Sequence, residues 1–446
     1  MLKKKIHFNL AVATMAALLS ACGGSETNII ERQPVIIDDD HDHDHDHDHD
    51  HDNEALTQGR LLISLKDQPK VSIIDINEKT LLEEFALHEA PSALYASPSY
   101  RYGYVVQRTA DLVNVIDSGL SQEDHGDHKD DVISAPRIMS FYSTGSRPTH
   151  FTGNDTQSVI FYDGNAATAT PASVSVYTAS DIANNTLGTR LEYTTHMHGA
   201  AQGRGEYLIA SVGDVNTEST LPDRVALYKA DGNFFIEQEV FTENCPGLHG
   251  SAQNENQILF GCTDGVLVIT QNNQTFTAEK IVNPAHFDST QRVGNLIGAI
   301  NNLEFVGIAA GQFFSINTSS KQITAIKWLD TETSPAPSAV AYGFAKQDEL
   351  FVILDNQGWL TILDSSSWSV KHRIQVITSN LSALPTGSGF ELALTPGHMA
   401  YVSDPITNQI KQVTLDKATV TTSIQLGFTP HKLVWLGIAE PAGTHH

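Results

Sequence analysis

From residue 59 to residue 438 the chain runs in short apolar stretches separated by polar turns, with almost no trace of the 3.6-residue period of an amphipathic helix. Leu61-Leu62-Ile63-Ser64-Leu65, Val71-Ser72-Ile73-Ile74-Asp75, Tyr102-Gly103-Tyr104-Val105-Val106 and Leu112-Val113-Asn114-Val115-Ile116-Asp117 are of strand length and rich in β-branched and aromatic residues. Short strands at regular spacing predict an all-β fold: a sandwich, a barrel or a propeller. A weak internal repeat decides among these. Units open near Pro91, Pro148, Thr195, Gly247, Val293, Pro337 and Ser388, at the spacing of four-stranded propeller blades. The first β segment, residues 60–85, has the three outer strands of a blade without the inner one. The last, Pro430-His431-Lys432-Leu433-Val434-Trp435, has the inner strand alone, so the two ends of the chain close one ring. The expectation is a β-propeller over residues 58–440 with eight four-stranded blades, seven being the neighbouring count and a pair of β-sandwiches the alternative fold.

The first residues set the compartment. Lys3-Lys4-Lys5 precedes a short apolar stretch, residues 9–19, too short to span a bilayer as a mature helix. Leu19-Ser20-Ala21-Cys22 then has the form of a bacterial lipoprotein cleavage site. Residues 1–21 are read as a signal peptide and Cys22 as the lipid-carrying first residue of an exported, periplasmic protein that meets the membrane only through that anchor. The remaining two cysteines, Cys245 and Cys262, are expected to form a disulfide, with a metal-binding thiolate pair as the alternative.

Residues 22–57 carry no apolar periodicity. They include Asp38-Asp39-Asp40 and then strict His/Asp alternation through Asp52, nine aspartates in all. Such a tract has nothing to bury and cannot offset its ordering entropy, so it is read as a disordered arm. The formal net charge of −25 excludes a nucleic-acid backbone as the natural partner and favours cations instead.

Of the 20 histidines, His41, His43, His45, His47, His49 and His51 lie in the arm, where neighbouring imidazoles can gather weakly on one ion. A second set, His125 and His128, lies in Glu123-Asp124-His125-Gly126-Asp127-His128-Lys129-Asp130-Asp131. This loop interrupts a unit between its third strand (residues 112–117) and its fourth (residues 132–142). A third set emerges when inner strands are aligned: Thr149-His150-Phe151, Met197-His198-Gly199 and Leu248-His249-Gly250 place an imidazole at an equivalent position in three successive units. His196 lies two residues before His198, on the same face if the segment is a strand. Inner strands line a propeller's channel, so three rings there could supply the protein part of a zinc site with one position open. Imidazole also serves copper and nickel, which the sequence does not exclude. There is no nucleophile elbow, phosphate-binding glycine loop or His-Glu-x-x-His helix.

Taken together, the signal segment, the His/Asp arm, the His125-Gly126-Asp127-His128 loop, the histidine-bearing inner strands and the Cys245-Pro246-Gly247-Leu248-His249-Gly250…Cys262 stretch resemble the AztD-type periplasmic zinc metallochaperones. The resemblance implies a β-propeller that binds zinc and passes it to the solute-binding protein of a zinc ABC importer, without enzymatic chemistry. Two other classes stay open from the residues alone: a metal-dependent propeller hydrolase of lactonase type, and a scaffold whose arm only buffers metal.

Overall fold

A computed structural model describes residues 58–126, 128–213, 219–288, 291–329 and 336–439. The signal segment, Cys22 and the six histidines of the arm lie outside the described residues. Among the described residues there are six four-stranded sheets, one eight-stranded sheet and one isolated two-stranded hairpin. The eight-stranded sheet consists of two four-stranded units joined at their outer strands by a single parallel pairing, Arg190 with Phe234. Every unit is an antiparallel meander, as a propeller requires, and the inner strands begin near the positions the repeat marks. We number the units 1 (residues 93–144), 2 (148–192), 3 (201–240), 4 (251–282), 5 (295–325), 6 (339–375) and 7 (392–425). Unit 8 joins the three N-terminal strands, Gly59–Leu65, Lys70–Asp75 and Thr80–Ala86, to an inner strand from the other end of the chain, Pro430–Gly437. The closure runs from Gly59 opposite Gly437 to Leu65 opposite Pro430.

Strand periodicity explains the stacking. Second strands such as Leu350–Asp355 and Tyr102–Gln107 are buried at every position, because each face of a unit packs on a neighbouring unit. Alternate side chains divide the work: Phe351 and Ile353 pack towards unit 5, whereas Val352 and Leu354 pack towards unit 7. The same division recurs around the ring, and each junction between consecutive units has its own cluster of buried apolar side chains. Each fully buried Leu, Ile or Phe contributes about 1.5–3 kcal/mol. Fourth strands such as Thr80–Ala86 are largely exposed, which is why their sequences lose the apolar run.

This topology fixes two faces. On the upper face lie the starts of the inner strands and the connections between second and third strands. On the lower face lie the connections between first and second strands and between third and fourth. In unit 1 the third strand ends at Asp117 and the fourth is Arg137–Thr144, not residues 132–142 as the sequence suggests. Val132 belongs instead to the separate hairpin, Leu120–Asp124 paired with Lys129–Ile133. This hairpin therefore springs from the lower face. Among the described residues no helix is long and apolar enough to cross a membrane.

Candidate metal centre

Three side chains meet on the upper face. His150 lies in the inner strand of unit 2, Pro148–Gly153. His198 and His249 do not lie in strands, as expected, but in the segments leading into the inner strands Ala201–Arg204 and Ser251–Gln253. Their backbone amides are held by neighbouring chain: His198 N donates to the Thr220 carbonyl at 2.8 Å, and His249 N to the Gly261 carbonyl at 2.9 Å. Because residues 193–200 are not extended in a ladder, the alternation that places His196 beside His198 does not hold. His196 stands outside the group that His150, His198 and His249 form, in which the ligand atoms all lie within 4.8 Å of one another.

The three rings present their Nε2 atoms to a common point. Nε2 of His198 is 3.1 Å from Nε2 of His150 and 3.1 Å from Nε2 of His249. Metal–nitrogen bonds of about 2.0–2.1 Å in tetrahedral geometry separate ligand atoms by about 3.3–3.4 Å. The spacing is therefore close to that of a metal-ligand set. The other ring nitrogens determine the tautomers. His198 Nδ1 lies 3.1 Å from Asp163 Oδ2, and His249 Nδ1 lies 2.7 Å from the Gly294 carbonyl. A carboxylate and a carbonyl can only accept, so both Nδ1 atoms carry the proton and both Nε2 atoms present lone pairs. This is the arrangement by which a second layer of groups orients histidine for a metal.

Asp163 is shared. Its Oδ2 also accepts from Arg108 Nη2 at 3.0 Å, while its buried Oδ1 has no hydrogen-bond partner. Burial, reinforced by the neighbouring His198, pulls the His150 imidazolium down to about 4. Burial likewise lowers His249. Both rings are thus neutral at neutral pH and able to ligate.

The floor beneath the rings is stiff. Gln202 donates to Ser251 Oγ at 2.9 Å, Gln253 donates to Gln202 Oε1 at 2.8 Å and to the Gly153 carbonyl at 3.2 Å, and Thr152 donates to the Ala201 carbonyl at 2.8 Å. These bonds tie together the inner strands of the three units that carry the rings. The Cys245–Cys262 disulfide is formed, and both sulfurs are buried. It links the segment leading to His249 with the end of the strand Gln257–Cys262.

His125 and His128 lie elsewhere. They sit at the tip of the lower-face hairpin and are not further ligands of the upper-face group. Sequence reasoning missed Asp163, Arg108 and Gly294. Asp163-Gly164 reads as a turn dipeptide, and it is one: Gly164 has φ +72, and a Cβ there would meet the Thr170 carbonyl at 2.4 Å. The turn also aims the aspartate at a ring 35 residues away in sequence.

No family model matches the chain. A curated relative, the zinc chaperone AztD of Citrobacter koseri, is 29% identical over 222 residues, which are 50% of this chain and 50% of that protein. The chain thus spans about half the length of the curated relative it matches. The crystal structure of Citrobacter koseri AztD matches with a TM-score of 0.73 at 23% identity, covering 88% of this chain and 100% of that one. The apo form of AztD from Citrobacter koseri gives 0.72 at 22% identity, covering 86% and 100%. Dihydro-heme d1 dehydrogenase NirN in complex with DHE gives 0.54 at 11% identity, covering 84% of this chain and 74% of that one. The chain therefore resembles AztD in sequence over half its length and in fold over most of it, in agreement with the family resemblance read from its motifs.

Proposed function

We propose that this chain is an exported zinc chaperone. It holds zinc at His150, His198 and His249 and passes it to the solute-binding protein of a zinc ABC importer. The observation that carries the reading is the convergence of three Nε2 atoms whose ring orientations are set from behind by Asp163 and Gly294. The sequence similarity to a protein named a zinc chaperone supports it. A lipid anchor at Cys22 would keep the protein at a periplasmic membrane, and the arm histidines from His41 to His51 would gather zinc weakly before the folded site takes it. Three imidazoles leave one tetrahedral position for an incoming ligand from an acceptor. Transfer is then ligand exchange, with no covalent bond of a substrate made or broken, so the reading is not enzymatic.

Zinc titration of the full chain against a variant lacking residues 38–52 tests the division of labour. Stoichiometry is expected to fall while at least one tight site and the thermal unfolding profile remain. Complete loss of binding would place the only site in the arm.

The role of Asp163 is tested separately. An amide at this position keeps an oxygen that can accept from both Arg108 and His198 Nδ1 but removes the negative charge behind the ring, which makes Nε2 a poorer ligand. Asp163→Asn is therefore expected to weaken zinc about 10- to 100-fold, the usual cost of losing a partner of this kind. Competition with a chromophoric chelator reads the change, and an unaltered affinity would show that the carboxylate's charge does not strengthen the ring as a ligand.

A further inference from the structure

The chain enters the propeller on the face opposite the histidine triad. The second strand of unit 8 starts at Gly59, which pairs with Gly437 at the lower end of the closing strand. His150, His198 and His249 meet on the upper face, in units 2, 3 and 4, which stand two, three and four places round the ring from unit 8. An ion held by an arm histidine must therefore change faces to reach the triad of its own chain.

Two routes join the faces, and the one through the channel is closed. The lower mouth is laced by bonds between successive units. Asn154 Nδ2 donates to the Gly203 carbonyl at 2.7 Å, Arg204 Nη2 to the Asn254 carbonyl at 2.6 Å, Asn254 Nδ2 to the Asn302 carbonyl at 3.1 Å and Asn301 N to Asp348 Oδ2 at 3.1 Å. Side chains from distant units also crowd that mouth: burial, and then the charges of Asp348 in unit 6 and Asp155 in unit 2, raise the Tyr100 hydroxyl of unit 1. Directly beneath the rings, Gln202 and Gln253 are 2% and 7% exposed, and Gln253 of unit 4 is bonded to both unit 3 and unit 2. A layer packed in this way leaves no room for a second chain to pass.

The other route runs round the outside of unit 8. It goes out over two strand spacings to Thr80–Ala86, climbs the height of that seven-residue strand and returns over three spacings to the inner strand. Its length is about 50 Å before its bends and the crossing of the channel mouth are added. An extended chain spans at most about 3.6 Å per residue, so His51 reaches about 29 Å from Gly59, His45 about 50 Å and His41, drawn straight, about 65 Å. A tether that cannot span its two sites, or spans them only when straight, gives an effective concentration near zero.

We propose that the arm does not load the triad of its own chain but passes zinc to the triad of a second copy, whose upper face it meets free of that limit. The proposal rests on the function proposed above, in which arm and triad both hold zinc, and adds which molecule gives and which receives. The receiving face suits an acidic donor. Arg108, on Asp163, and Arg292, whose Nη1 donates to the Gly247 carbonyl at 3.0 Å, flank the rings, and the arm brings nine aspartates.

Stopped-flow absorbance with cobalt(II) chloride tests the proposal, cobalt standing in for zinc because its four-coordinate imidazole complexes absorb visible light. The full chain with His150→Ala/His198→Ala/His249→Ala, loaded with cobalt on its arm, is mixed with the metal-free variant lacking residues 38–52. Growth of the triad band is compared with that in the wild-type chain given cobalt at the same site concentrations. The two rates are expected to agree within about twofold and to rise about tenfold when protein is raised tenfold. A wild-type rate that exceeds that of the mixed pair and does not change with concentration would overturn the proposal, because the arm would then reach its own triad. Equal rates that ignore concentration would also overturn it, because cobalt would then pass through free solution. Circular dichroism checks the fold of the triple variant, and a donor with His198→Ala alone gives the same comparison. Absence of a triad band in the arm-lacking variant loaded directly with cobalt shows failure of the function proposed above, before any transfer is measured.

Discussion

His198→Ala or His249→Ala is expected to weaken the tight zinc class at least tenfold, about 1.4 kcal/mol or more, with little change in the fold. Each substitution removes one of three lone pairs from the convergence point and leaves two imidazoles, which no longer define a tetrahedral site on rigid chain. The cost to folding is small because the rings are partly buried on the upper face and are not packed in one of the apolar clusters between units. His198→Ala removes one partner from Asp163 but leaves the Arg108 bond; His249→Ala exposes the Gly294 carbonyl where water can reach it. Chelator competition and calorimetry, run on the full chain and on the variant lacking residues 38–52, separate the tight class from weaker binding in the arm. Thermal unfolding of the zinc-free variants checks the fold. Full affinity in both variants would show that the convergence on the upper face is not the site.

Much of this architecture is legible in the residues. The short apolar runs between polar turns and the recurrence of unit starts give the propeller. The lone strand Pro430–Gly437 completes a unit whose other three strands begin at Gly59 because both ends were incomplete in complementary ways. The equivalence of His150, His198 and His249 could be read because repeats convert sequence offset into spatial position. What could not be read is whatever the repeat does not carry. Asp163, Arg108 and Gly294 reach the site from the loops of neighbouring units, and nothing in their local sequence separates them from ordinary turn residues. The loop with His125 and His128 shows the converse. Its residues look like companions of the triad, yet counting strand direction through the unit sends it to the other face. The third-to-fourth connection always lies opposite the start of the inner strand.

Removing the disulfide with Cys245→Ala/Cys262→Ala is expected to cost about 3 kcal/mol of stability, the loop-closure value for a bridge spanning roughly this length of chain, and to widen that gap when zinc is bound. The bond joins residues 17 apart and buries both sulfurs among Leu248, Phe260 and Ile258 at the junction of units 3 and 4. Its position relative to the site gives it a second effect. Cys245 is four residues before His249, and Cys262 follows Gly261, whose carbonyl accepts the His249 amide. The bridge therefore clamps both sides of the contact that aims one ring. Without it, the segment from 245 to 250 still has its bonds to Pro222 and Thr263, but the aim of His249 loosens. A ligand that binds only the folded form stabilises it by RT ln(1 + [L]/Kd). If the variant binds zinc more weakly, saturating zinc protects it less than the wild type, and the stability difference grows on loading. Denaturant unfolding of both proteins, zinc-free and zinc-loaded, measures the two gaps. Equal gaps would mean that the disulfide staples the chain without preorganising the site.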